Sequence, residues 1–81
     1  MPDLFQVWIG PEPGINKEIL GQGTLEFAEQ MARERVLEAK ENNISRIASV
    51  FAQIEGVVVS GFATPDLKEK LAQYPQITVL E

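Results

Sequence analysis

The chain has 81 residues, 44% of them hydrophobic, which is enough for one core; at about 60 to 65% burial of its unfolded surface there is nothing left for a second. Twelve acidic and seven basic residues give a net charge of −5, which repels nucleic-acid phosphates and anionic lipid, so neither nucleic acid nor a membrane surface is an expected partner. With no Cys and no His the chain lacks a disulfide framework, a thiolate nucleophile, and the commonest general base and metal ligand.

No basic stretch precedes an apolar run, and the apolar runs are strand-sized, so neither a signal peptide nor a membrane span is expected and the default location is cytoplasmic. Residues 4–9, Leu-Phe-Gln-Val-Trp-Ile, are rich in strand formers and are stopped by Gly10-Pro11-Glu12-Pro13-Gly14, which cannot continue a ladder. They predict a first strand. Between Gly14 and Gly23, Ile15, Ile19 and Leu20 recur at helical spacing and Gly21 suits a C-terminal cap, so a single helical turn is expected there.

Thr24 is a suitable N-cap for a helix running to residues 42–43, with Leu25, Ala28, Met31, Ala32, Val36 and Ala39 as its inner stripe. Glu26, Glu29, Arg33, Glu34, Lys40 and Glu41 lie opposite as a solvated face, on which Glu29 and Arg33 are placed to pair. Residues 47–54 and 57–62 are β-rich runs separated by Glu55-Gly56, a hairpin signal. Thr64-Pro65-Asp66 opens a short second helix with Leu67, Leu71 and Tyr74 inward, and Pro75 ends it. Residues 76–81 alternate as a closing strand.

The resulting order β-α-β-β-α-β predicts one α+β domain over residues 1–81. Its expected form is a ferredoxin-like two-layer sandwich, a four-stranded antiparallel sheet with two helices on one face.

The residues able to do chemistry are few. The carboxylates are mostly Glu on predicted helix surfaces, and Ser45, Ser49 and Ser60 have no His to activate them, so no catalytic centre is expected. Gly21-Gln22-Gly23 before a helix has the outline of a phosphate-cradling turn, but the third glycine of that pattern falls on Glu26, which would repel a pyrophosphate. No cofactor or metal is expected. Arg35 falls within the apolar stripe and reads as a side chain that snorkels past the core edge towards Glu38. The segment 10–23 is longer than an ordinary βα connection, and its role is left open.

Trp8 is the most informative residue. If Phe5, Val7 and Ile9 face the helices, alternation places Leu4, Gln6 and Trp8 on the uncovered face, making it a candidate binding surface for another protein.

In the second half, Phe51-Ala52-Gln53-Ile54-Glu55-Gly56 matches a strand ending in aromatic-x-x-apolar-x-Gly. An apolar strand, Val57-Val58-Val59, and a helix bearing Leu67 and Leu71 follow, and then the ending Pro75-Gln76-Ile77-Thr78-Val79-Leu80-Glu81. Residues 43–81 thereby resemble the subtilisin-propeptide-like proteinase inhibitor family, in particular its small stand-alone members. The resemblance covers about half of the chain and implies a βαββαβ fold. It also implies an open sheet face that sits on two surface helices of a subtilisin-like protease, and a C-terminal segment that enters the active-site cleft like a substrate. On that reading Trp8, Gln6 and Leu4 dock on the enzyme, Glu55 meets the positive N-termini of its helices, and Val79, Leu80 and Glu81 belong to the terminal contact.

A second expectation belongs to another class: a small regulatory or self-assembling module that buries the same face against its own copy or a host protein. The position of Glu81 at the end of the last predicted strand favours this second reading, whereas Gly56 and the pattern over residues 75–81 favour the first.

Overall fold

The computed structural model describes residues 4–81. In chain order it contains β1 (Phe5–Gly10), β2 (Glu18–Gly23), the helix α1 (Leu25–Glu41), β3 (Ile47–Ala52), β4 (Val57–Ala63), a 3-10 helix η1 (Pro65–Leu71) and β5 (Ile77–Val79). The five strands form one sheet in the order β2-β1-β3-β4-β5, antiparallel throughout except that β5 runs parallel to β4. No helix among the described residues is long and apolar enough to cross a membrane.

The α+β class is as the sequence predicts, but besides the parallel run of β5 beside β4 the arrangement departs from the four-stranded antiparallel ferredoxin-like sandwich in three further ways. Residues 18–23 form a strand in place of a helical turn, because β1 supplies a pairing partner along its whole length. The connection through α1 therefore leaves from β2, and β1 pairs directly and antiparallel with β3. The second helix is a 3-10 helix of seven residues, and it packs on the opposite face of the sheet from α1.

Strand register explains the two faces. Opposed residues share a face, so Val7 with Val50, Ile9 with Ala48, and Ala48 with Phe62 point to one side, where Ala28, Ala32 and Val36 of α1 complete a buried cluster. Small side chains on α1 let the helix backbone approach the sheet closely. Ile47 opposite Ala63 points the other way and packs with Leu67, Leu71 and Ile77, the core beneath η1.

Gly61 is required by close approach. A Cβ there would stand 2.6 Å from Ile77 Cδ1 and against the Ala48 carbonyl, so only glycine lets β4 lie between β3 and β5 at this level.

Helix α1 begins as predicted: the Thr24 hydroxyl accepts the Phe27 N–H at 3.2 Å. At its end Asn43 takes a left-handed conformation (φ 57°), and the Ile44 N–H returns to the Ala39 carbonyl at 2.9 Å. Within the predicted inner stripe Leu25 is exposed, since it sits in the first turn, beyond the sheet. Glu29 is half-buried and accepts a hydrogen bond from Ser60 at 2.6 Å, so it joins α1 to β4; the expected partner was Arg33. Arg35 is exposed at the rim of a shallow cleft beside Glu38 and Arg46. The predicted Glu55-Gly56 turn is wider than two residues: β3 ends at Ala52, and the Gly56 N–H closes the loop on the Ala52 carbonyl at 2.7 Å.

Candidate functional site

Alternation along β1 places Val7 fully buried beneath α1 and Trp8 half-buried on the other face, with Gln6 beside it. Trp8 stands opposite Ser49 of β3 and Ile19 of β2, and Gln6 opposite Phe51 and Gln22. Helix η1 covers only part of this face. Its cluster takes in Ile47 of β3 and extends to Val58, Val79 and Tyr74, and Ser49 of β3 is buried as well, so the part left open is β2, β1 and the Phe51 end of β3.

The connection between β1 and β2, residues 11–17, folds back over one end of this open area. It can do so because Gly10 has no side chain: a Cβ there would collide with the Ile15 carbonyl. The Lys17 N–H bonds the Ile9 carbonyl at 3.0 Å, and Glu12 pairs with Lys70 of η1 at 2.9 Å, so the loop is tied to both β1 and η1. The hydrogen bond that Lys70 donates to Glu12, and then the negative charge of that carboxylate, hold the Lys70 pKa above the ordinary lysine value; both side chains remain largely open to solvent. What remains uncovered is a groove of about 320 Å³ running towards the β3–β4 loop, lined by Gln6, Trp8, Asn16, Phe51 and Gln53.

Two aromatic rings and three carboxamides meet in this groove, and among the described residues no acidic or basic side chain lines it. Around it, Ile19 is 45% exposed and Gln22 is exposed, which extends the uncharged surface to the edge of the sheet. The Trp8 indole N–H points at Gln6 Oε1 from 3.4 Å, a long bond that leaves the donor only weakly engaged. Charge depletion around aromatic residues is the composition found at the centre of protein interfaces.

The residues singled out in the sequence are only partly brought together. Trp8 and Gln6 form the groove floor, and exposed Leu4 precedes β1, its carbonyl accepting the Gln53 N–H at 3.0 Å. Glu55 is exposed in the β3–β4 loop. Val79, Leu80 and Glu81 lie at or just beyond β5, three strand spacings or about 14 Å from β1. Val79 packs with the η1 cluster, Leu80 with the α1 cluster, and Glu81 pairs with Lys68 at 3.1 Å. Phe51, Asn16, Gln53 and Ile19 complete the site and escaped the sequence reading. Phe51 belongs to a strand that is apolar on both faces, while Asn16 and Ile19 depend on a hairpin whose pairing is not written in local pattern.

Among the described residues no group of three Asp or Glu side chains stands close enough to hold a metal ion. Comparison with protein-family models, with curated proteins and with solved structures finds no match to this chain.

Proposed function

We propose that this protein is a binding module without catalytic turnover, and that it docks a partner protein on the part of the sheet face that η1 leaves open. The observation that carries this reading is the groove around Trp8 and Phe51, whose lining among the described residues carries no charge, in a chain whose net charge is −5. An acidic domain has no folding reason to keep such a surface bare, because the core beneath α1 and the core beneath η1 are both closed without it. The sequence supports the absence of turnover, since neither His nor Cys is available as base or nucleophile.

A subtilisin-like protease is the first partner to test, on the strength of the resemblance over residues 43–81. A second reading, self-assembly, draws on the same surface: two acidic copies can meet there without opposing like charges. The experiment is a measurement of solution mass together with a titration against a subtilisin-type protease, for the wild type and Trp8→Ala. Truncating a central interface Trp typically costs about 2 kcal/mol, so whichever association occurs should weaken by roughly thirtyfold in the variant. An unaltered association in a variant that remains folded would falsify docking at this face.

A further inference from the structure

The chemistry of the groove narrows the kind of partner. Among the described residues its lining holds no cation to pair with phosphate or carboxylate and no carboxylate to pair with an ammonium or guanidinium group, so it offers charged ligands only neutral hydrogen bonds. Its polar groups are the carboxamides of Gln6, Asn16 and Gln53, which donate and accept, and the Trp8 indole, which only donates and is weakly engaged. A matching ligand is uncharged and presents backbone carbonyls between apolar surfaces. Strand addition does not fit, because the groove lies over β1 and β3, whose backbones are already paired on both sides. A polyproline II segment does fit: it makes no internal hydrogen bonds, keeps its carbonyls free, and offers proline rings to an indole face at little cost in chain entropy.

Area argues in the same direction. Even the whole of β2, β1 and β3, three strands of about six residues, measures only about 14 Å by about 20 Å, on the order of 300 Å², and η1 and loop 11–17 cover part of it. A stable dimer needs about 800 Å² from each partner. A second copy docked on this face alone falls well short, whereas a short peptide is accommodated. Resting on the docking face proposed above, we infer that the groove between Trp8, Phe51 and Asn16 binds a short, uncharged, proline-containing segment of a partner protein in the polyproline II conformation.

Trp8 is the one tryptophan of the chain and reports directly on its own site. The full chain is titrated with a blocked, uncharged, proline-rich decapeptide, following Trp8 emission and backbone amide shifts. The expected result is a saturable blue shift with a Kd on the order of 100 μM, with amide shifts confined to residues lining the groove. Asn16→Ala, at an exposed loop position, should weaken binding by about fivefold without moving the urea midpoint, because it removes one hydrogen bond to the ligand. Replacing alternate peptide residues with Asp should weaken it by about tenfold or more, since the groove offers the new charge no partner.

The inference is overturned by a flat titration up to about 1 mM, by shifts outside the groove, or by an equal response to maltohexaose. If the peptide is silent while Trp8→Ala still weakens association with a protease or with a second copy, docking at the face stands and the peptide assignment falls. If both are silent, the docking face falls as well.

Discussion

Replacing Thr64 by Val tests what holds η1 over the sheet, and therefore what sets the boundary of the open face. Thr64 is 1% exposed at the joint between β4 and η1. Its backbone N–H bonds the Arg46 carbonyl at 3.0 Å, as the next rung of the β3–β4 ladder requires, but the return bond comes from the side chain: Oγ1 accepts the Arg46 N–H at 3.1 Å. The same hydroxyl donates to the Arg46 carbonyl at 3.3 Å, and none of its capacity goes to capping η1. Val keeps the shape and removes the oxygen, which leaves the Arg46 N–H without its partner. An orphaned buried donor costs about 1 to 3 kcal/mol, and Arg46 is half-buried, so about 1 to 2 kcal/mol is expected. For a domain of this size that lowers Tm by roughly 5 to 15 °C, and the urea midpoint by about 1 M with an unchanged slope. Amide exchange at Arg46 should accelerate in step. A Thr64→Val variant within about 0.5 kcal/mol of the wild type, or more stable than it, would show that the Arg46 N–H finds water or another acceptor and that this joint is not held as argued.

Gly10→Ala should be destabilising by roughly 1 to 3 kcal/mol, because the new methyl occupies the position of the Ile15 carbonyl and loop 11–17 must lift; an unchanged urea midpoint would mean that the loop does not rest on β1. Lys70→Met should change stability little at neutral pH, since the pair with Glu12 is exposed and screened by salt. The sign of its pH dependence is fixed: a lysine whose folded pKa is raised lends stability below its unfolded value and loses it as pH rises through the folded one. The small difference between wild type and Lys70→Met should therefore shrink as pH rises past the ordinary lysine range, and urea midpoints compared there and at neutral pH check it.

Much of this architecture is legible in the sequence wherever local pattern and tertiary role agree. Ala28, Ala32, Val36 and Ala39 recur at helical spacing because α1 has one neighbour, the sheet, and all four are buried. Val7 and Trp8 alternate because β1 separates two different environments, and the assignment of Trp8 away from α1 follows from that alone. Strand β2 is different. Glu-Ile-Leu-Gly-Gln-Gly carries two glycines and little strand propensity, so it becomes a strand only because β1 is there to pair with it. Gly21 and Gly23 serve packing there, giving room to Met31 and Phe27 of α1. The side of the sheet on which η1 lies was hidden for a related reason: Leu67 and Leu71 mark an inward face in either arrangement, and seven residues hold too few turns to say which layer they join. The parallel pairing of β5 with β4 depends on that same crossover.

The two sheet edges give a physical reason why the proposed docking surface is the face and not an edge. Strand β2 carries a bulge between the levels of Val7 and Trp8, where Leu20 turns towards the α1 core, and exposed Glu18 sits at its start. A bulge and a charge are two of the devices by which an edge is made unattractive to an incoming strand. Strand β5, at the other edge, has only three residues. With both edges blunted, backbone pairing is a poor route to association, and recognition is left to side chains. Those side chains divide the task. Trp8, Phe51 and the surrounding carboxamides supply contact without charge, while the remainder of a chain at net −5 supplies a long-range field that discourages acidic partners and favours the approach of basic ones. A partner suited to both would bring an uncharged proline-containing segment to the groove from a protein whose surrounding surface is basic. Its on-rate would then fall with added salt, while the contacts inside the groove, having no charge to screen, would hold its off-rate nearly constant.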